Sequence, residues 1–142
     1  MPDPTIVDTW ERLVRFHRAT ITAMDSHFRA EFGRSLDDYD VLHQLHTYGD
    51  PIRMGDLAER LLVANSSCNR IVGRLVDAGL VDRHHGETDR REVLVELTRD
   101  GKRLRRRMAA VHTHDIERLL GKPLSDEHDR LHETLGRLLR DR

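Results

Sequence analysis

Between Leu80 and Thr98 the hydrophobic pattern of this chain changes period, and that change limits the folds open to it. On either side, apolar residues recur at steps of three and four, as one face of a helix requires. Within the segment, Val93, Val95 and Leu97 alternate with Leu94 and Glu96, as in a strand. Leu80 to His85 and Arg91 to Thr98 flank Gly86-Glu87-Thr88-Asp89, which predicts a hairpin with a charged tip.

The helical segments follow in order. Ile6, Trp10, Leu13, His17, Ile21, Met24, Phe28 and Phe32 predict a first helix of about seven turns, ended by Gly33. Ser35-Leu36-Asp37-Asp38 reads as a capping-box variant opening a second, with Tyr39, Leu42 and Leu45, which Tyr48-Gly49-Asp50-Pro51 closes. Met54, Leu57, Ala58 and Leu61 mark a short third helix. Asn65-Ser66-Ser67 supply cap-type residues to a fourth, which carries Cys68, Ile71, Val72 and Leu75 and stops at Gly79. Beyond the hairpin, Thr98 is placed to cap a fifth helix, with Leu104, Met108, Val111, Ile116 and Leu119, that breaks at Gly121-Lys122-Pro123. Gly101 is expected to weaken its first turn. Ser125 then caps a sixth helix with His128, Leu131, Leu135 and Leu138. The predicted fold is mainly α with a small β-hairpin wing, in the order four helices, two strands, two helices. The stripes of the terminal helices are too long for a small core to cover, so a second copy packed across a two-fold axis is expected. A self-contained helical bundle is the alternative.

A length of 142 residues suits one domain, and 37% hydrophobic against 35% charged residues describes a chain that folds and stays hydrophilic. The single cysteine excludes CxxC zinc and redox frameworks and favours a cytoplasmic setting. Neither a secretory leader pattern nor a long apolar run is present, so secretion and membrane spanning are not expected. The net charge of -1 conceals an asymmetry. Residues 1–50 carry 5 basic and 9 acidic side chains, residues 51–107 carry 13 and 9, and residues 108–142 carry 6 and 7. A basic middle suggests one surface that meets polyanion. Only Lys102 and Lys122 are lysine, which suits bidentate phosphate or guanine contacts, or reflects codon bias.

A short helix, a second helix and a hairpin form the order of a winged helix-turn-helix. Such a unit needs small polar and basic side chains on the exposed face of its second helix, because base edges and phosphates take hydrogen-bond donors. Opposite its apolar face, the fourth helix carries Ser66, Ser67, Asn69, Arg70, Gly73 and Arg74, with Asn65 at its start. Arg90 and Arg91 at the hairpin tip are placed to enter a minor groove. The bland alternative is a solvated polar face.

At this point the sequence resembles the MarR family of bacterial transcriptional regulators. The match is carried by Asp89-Arg90-Arg91-Glu92-Val93-Leu94-Val95-Glu96-Leu97-Thr98, which fits the wing signature DxRxxxVxLT, followed by Gly101 and Leu104. Leu57-Ala58 and the run from Arg70 to Arg83 support it. The resemblance implies a winged helix-turn-helix DNA-binding lobe over 36–98 and a helical dimerisation region over 5–33 and 99–141. It implies a homodimer on a pseudo-palindromic operator in double-stranded DNA, acting as a repressor, with the fourth helix in the major groove and the wing tip in the minor groove. Asp89 would support the wing by holding Arg91, and Arg90 would probe the groove. Asn69 and Gly73 depart from the family pattern, and Gly73 also costs about 1 kcal/mol of helix propensity against alanine. The resemblance further implies a small aromatic or anionic effector. Trp10 and His17 are candidates to line its pocket, or pack in a core or dimer contact, and Arg53 is a candidate anchor that could equally meet phosphate.

Other constellations carry less. His43, His46, His112 and His114 suggest a metal-sensing variant of the same fold, but ligands two apart on a helix face different ways, so no metal or other cofactor is expected. Cys68, among apolar neighbours, reads as a core residue rather than a redox sensor. His84-His85 offer a pH-dependent phosphate contact, or are simply exposed. No Gly-rich phosphate loop, HExxH or local Ser/His/Asp signature is present, and no enzyme is expected. A helical protein-interaction module with a winged shape is the remaining alternative.

Overall fold

The computed structural model describes residues 3–140 and 142; the predicted limit of the dimerisation region at residue 141 lies outside them. In chain order the elements are α1 (Ile6–Phe32), α2 (Leu36–Tyr48), β1 (Ile52–Arg53), α3 (Met54–Leu61), α4 (Asn65–Asp77), β2 (Val81–His85), β3 (Val93–Leu97) and α5 (Arg99–Ile116). A π-helical turn Glu117–Gly121, a helical turn Lys122–Leu124 and a 3-10 turn Ser125–Glu127 lead into α6 (His128–Arg140). The chain divides into two compact units, Met1–Ala110 and Val111–Arg142.

In the first unit, α1 opens with a capping box at Thr5 and Asp8. The Thr5 hydroxyl accepts from the Asp8 N–H at 3.1 Å, and the Asp8 carboxylate accepts from the Thr5 N–H at 2.8 Å. Gly33 closes the helix in the left-handed region. Of the long apolar stripe, only Met24 and Phe28 are buried within α1. Phe28 meets Tyr39 of α2 with ring centroids 5.3 Å apart. Asp25 joins the two helices: its carboxylate accepts from the Leu36 N–H at the start of α2 (2.9 Å) and from Arg29 Nε (2.7 Å). These bonds, that to Arg29 foremost, hold Asp25 below the usual carboxylate range. Ser35 caps α2 by accepting from the Asp38 N–H at 3.1 Å. Cys68, Val72 and Leu75 of α4 are buried in the core, as are Leu42, Leu57, Val81 and Val95. Burial raises the Cys68 thiol above its ordinary range, which suits a packing role.

The sheet has three antiparallel strands in the order β1-β3-β2, one more than the predicted hairpin. Ile52 and Arg53 pair with Val95 and Leu94. Two residues are too few to show alternation, so this strand has no periodic signal; it forms because the inner edge of β3 offers free backbone groups and Ile52 is buried. Across the hairpin, Val81 faces Leu97 and His85 faces Val93.

Three further expectations change. Asn65-Ser66-Ser67 form the first turn of α4 and do not cap it; the N-cap is Ala64, with no side-chain cap bond. The Gly121-Lys122-Pro123 break does not occur there. The wider π-helical turn carries the backbone past Pro123, whose ring would strike the carbonyl four residues back in a regular helix. The direction changes at Ser125 (φ 52°), which opens the 3-10 turn and does not cap α6. In this second unit Asp115 is fully buried, with Arg118 3.6 Å away, and α6 has no buried residue.

Gly101 serves a purpose the sequence did not show. A Cβ there would lie 1.9 Å from the Leu80 carbonyl oxygen, so only glycine allows α5 to start against the end of α4. Gly101→Ala is therefore expected to destabilise the protein by about 2 kcal/mol or more in urea denaturation. Gly73→Ala, where nothing lies within 4 Å, should stabilise it by about 1 kcal/mol.

Candidate nucleic-acid interface

Helix α4 is held by its apolar face, with Cys68, Ile71, Val72 and Leu75 buried. Asn65, Ser66, Asn69, Arg70 and Arg74 are exposed, and Ser67 is half-buried. The side chain of Asn69 turns back to donate to the Asn65 carbonyl at 3.0 Å. Arg70 makes no ion pair among the described residues, which leaves its guanidinium to solvent.

Arg74 is engaged elsewhere. It donates to the Asp38 carboxylate at 2.8 Å, and Arg34 reaches the other oxygen of that group at 3.4 Å. Asp38 is only 3% exposed. A buried carboxylate needs such partners, so Arg74 ties α4 to α2 and is withdrawn from the free cations of the exposed face.

The C-terminus of α4 closes with Gly79 at φ 74°. Leu80 N–H donates to Leu75 O at 2.9 Å and Gly79 N–H to Val76 O at 3.0 Å, the paired bonds of a Schellman motif. The chain then enters β2. At the far end of the hairpin, the Gly86 N–H donates to the Glu92 carbonyl at 2.9 Å and the Glu92 N–H to the Asp89 carbonyl at 3.1 Å. The Asp89 carboxylate accepts from the backbone N–H of Arg91 at 3.0 Å. Asp89 thus shapes the tip through the main chain, where the sequence suggested a grip on the Arg91 side chain. Arg90 and Arg91 are exposed and make no ion pair among the described residues.

Arg53, proposed as an effector anchor, is ion-paired with Glu92 and braces β1 against the wing. Glu92 gave no signal of its own in sequence, because its partner lies on a strand that had no pattern. Trp10 is 64% exposed on α1 and His17 is exposed as well. The structure does not bring Trp10, His17 and Arg53 together in one pocket.

A different cavity draws basic groups together. A cleft of about 390 Å³ between the end of α2, β3 and the start of α5 is lined in part by His46, Lys102, Arg105 and Arg106, and by Asp50 and Glu96. The Nε of Arg105 is buried with no hydrogen-bond partner among the described residues. Burial and the nearby Arg105 hold His46 below the usual histidine range. His43 stacks on Tyr39 at 5.6 Å. Among the described residues no group of three or more His, Cys, Asp or Glu side chains is placed to hold a metal.

No helix among the described residues is long and apolar enough to cross a membrane. A profile of the MarR family matches residues 32–92, from the end of α1 to the wing. The HTH-type transcriptional regulator PecS of Dickeya dadantii is 30% identical over 118 residues, covering 82% of this chain and 70% of that protein. An uncharacterized HTH-type transcriptional regulator of Bacillus subtilis, YfiV, is 30% identical over 106 residues; the match covers 75% of this chain and 66% of that relative's length, just under two thirds. Sco3205, a MarR family transcriptional regulator from Streptomyces coelicolor solved in complex with DNA, shares the fold with a TM-score of 0.85 at 21% identity, over 99% of this chain and 90% of that one. Both relatives are transcriptional regulators, not enzymes. The wing signature, the α3–α4 pair that it flanks and these relatives agree, and the chain belongs to the MarR family of winged helix-turn-helix transcriptional regulators.

Proposed function

We propose that this protein is a cytoplasmic repressor that binds a pseudo-palindromic operator in double-stranded DNA as a homodimer and releases it when a small anionic or aromatic effector binds. The observation that carries the DNA reading is the set of uncommitted groups on one motif. Arg70, Arg90 and Arg91 are exposed and make no ion pair among the described residues, beside Asn65, Ser66, Ser67 and Asn69, while Arg53 and Arg74 are held by carboxylates. In this reading α4 enters the major groove and the wing tip reaches the minor groove.

The dimer reading is supported by apolar side chains left in water. On α1, Ile6 is 82% exposed, and Val7, Trp10, Leu13, Phe16 and Ile21 are also open. On α6, Leu138 and Leu139 are exposed. Patches of this kind on a soluble domain mark a partner surface, and a second copy supplies a matching one. Trp10 and His17 then lie at or near the surface between copies.

The effector reading is supported by the cleft between α2, β3 and α5, where Lys102, Arg105 and Arg106 outnumber Asp50 and Glu96 and would take a carboxylate. Release requires that the ligand bind the DNA-free arrangement better than the DNA-bound one.

Gel retardation with duplex from beside the protein's own gene is expected to show specific binding with a steep salt dependence; a salt slope near zero would sink the reading. Arg90→Ala should weaken binding to all sequences about equally, while Ser67→Ala and Arg70→Ala should also change which operator is preferred. Arg74→Ala is expected to lower stability in urea by about 1–3 kcal/mol, because it removes the closer partner of buried Asp38. With benzoate as the probe, Arg105→Gln should abolish ligand-induced release while operator affinity without benzoate stays as in the parent.

A further inference from the structure

We infer that the cleft between α4 and β2 holds a phosphate of the DNA backbone, and that His85 makes this contact strengthen as the solution becomes more acidic. The inference rests on the reading above, in which α4 and the wing face the duplex.

The cleft, of about 220 Å³, is lined by Asn69 of α4, by Arg83, His84 and His85 of β2, and by Val93 of β3. Strand register sorts these side chains. Arg83 and His85 pair with Val95 and Val93, while Asp82 and His84 pair with Glu96 and Leu94. Alternation therefore puts Arg83 and His85 on the sheet face that carries the buried Val81 and Val95, and puts His84 with Asp82 and Glu96 on the other. His84 Nδ1 lies 4.0 Å from Glu96 Oε1, consistent with that assignment.

The inner face thus changes character along its length. Near the core it is apolar and covered; further out, beside Asn69, it carries an exposed guanidinium and an exposed imidazole. Neither Arg83 nor His85 has an ion-pair partner among the described residues, and no carboxylate lines the cleft. The acids on neighbouring elements are otherwise placed or engaged. Glu92 is paired with Arg53, Glu87 and Asp89 belong to the tip, and Asp82 and Glu96 lie across the sheet. On α4 the charged neighbour of Asn69 is Arg70, another cation. Two potential cations and an amide in a cleft that is continuous with the exposed face of α4 match one phosphodiester, whose oxygens accept from all three. A histidine facing phosphate donates in either state, but adds charge and releases a counterion only when protonated.

Fluorescence anisotropy of the full chain on operator duplex, at pH about 6 and about 8 over a salt series, tests this. The parent protein should bind about fivefold more tightly at the lower pH, with a salt slope steeper by about 1 per lobe. His85→Gln should erase that difference and keep the affinity seen at the higher pH. His84→Gln, which borders the cleft but by register belongs to the opposite face of the strand, should retain the parent's pH response, and Arg83→Gln should weaken binding at both pH values. A His85→Gln variant that still responds to pH like the parent, or a parent that binds equally at both, overturns the inference while leaving DNA binding intact. Absence of parent binding to any duplex overturns both the inference and the reading beneath it.

Discussion

The Leu80 carbonyl is the point on which the lobe is assembled. It accepts from the Thr98 N–H at 3.1 Å, and the Thr98 hydroxyl donates to the Gly79 carbonyl at 2.7 Å while accepting from the Gly101 N–H at 3.0 Å. Four elements converge there: the end of α4, the start of β2, the end of β3 and the first turn of α5. Because Thr98 bonds through its N–H and its hydroxyl to all of these elements, the wing and α4 share one frame with the first turn of α5. The missing side chain at Gly101 is the condition for it, since any Cβ would occupy the place of the carbonyl oxygen.

Electrostatics then divides the arginines of the lobe by task. Asp38 and Glu92 each take an arginine out of circulation, Asp38 to bind α4 to α2 and Glu92 to bind β1 to the wing. What remains uncommitted lies on the exposed face of α4, the adjoining face of β2 and the wing tip. A chain with a net charge of -1 is thereby able to present a cationic surface, because its acids are spent internally or placed elsewhere.

Much of this was legible in the residues. The helix limits at Gly33, Gly49 and Gly79, the apolar face of α4 and the existence of the hairpin all follow from periodicity and from glycines that tolerate left-handed backbone, although the second strand starts at Val93 and not at Arg91. The list of exposed polar residues on α4 followed from the same period. The strand at Ile52–Arg53 was not legible, because two residues carry no period, and the fate of Arg53 went with it. The ion pair of Arg74 was not legible for a related reason: its partner Asp38 is 36 residues away, and spacing within one helix says nothing about a neighbour on another. The π-helical turn before Pro123 and the change of direction at Ser125 depend on backbone geometry that residue type only weakly constrains.

By itself, then, the sequence determined the kind of molecule. A switch from helical to alternating period between two helical regions, with the wing signature inside it, admits few folds, because apolar faces must be covered and period decides which residues share a face. Tertiary structure alone decided which charges are free. An ion pair depends on approach in space between residues far apart in the chain. Only the folded arrangement could show that Arg53 and Arg74 are bound while Arg70, Arg83, Arg90 and Arg91 remain available to a polyanion.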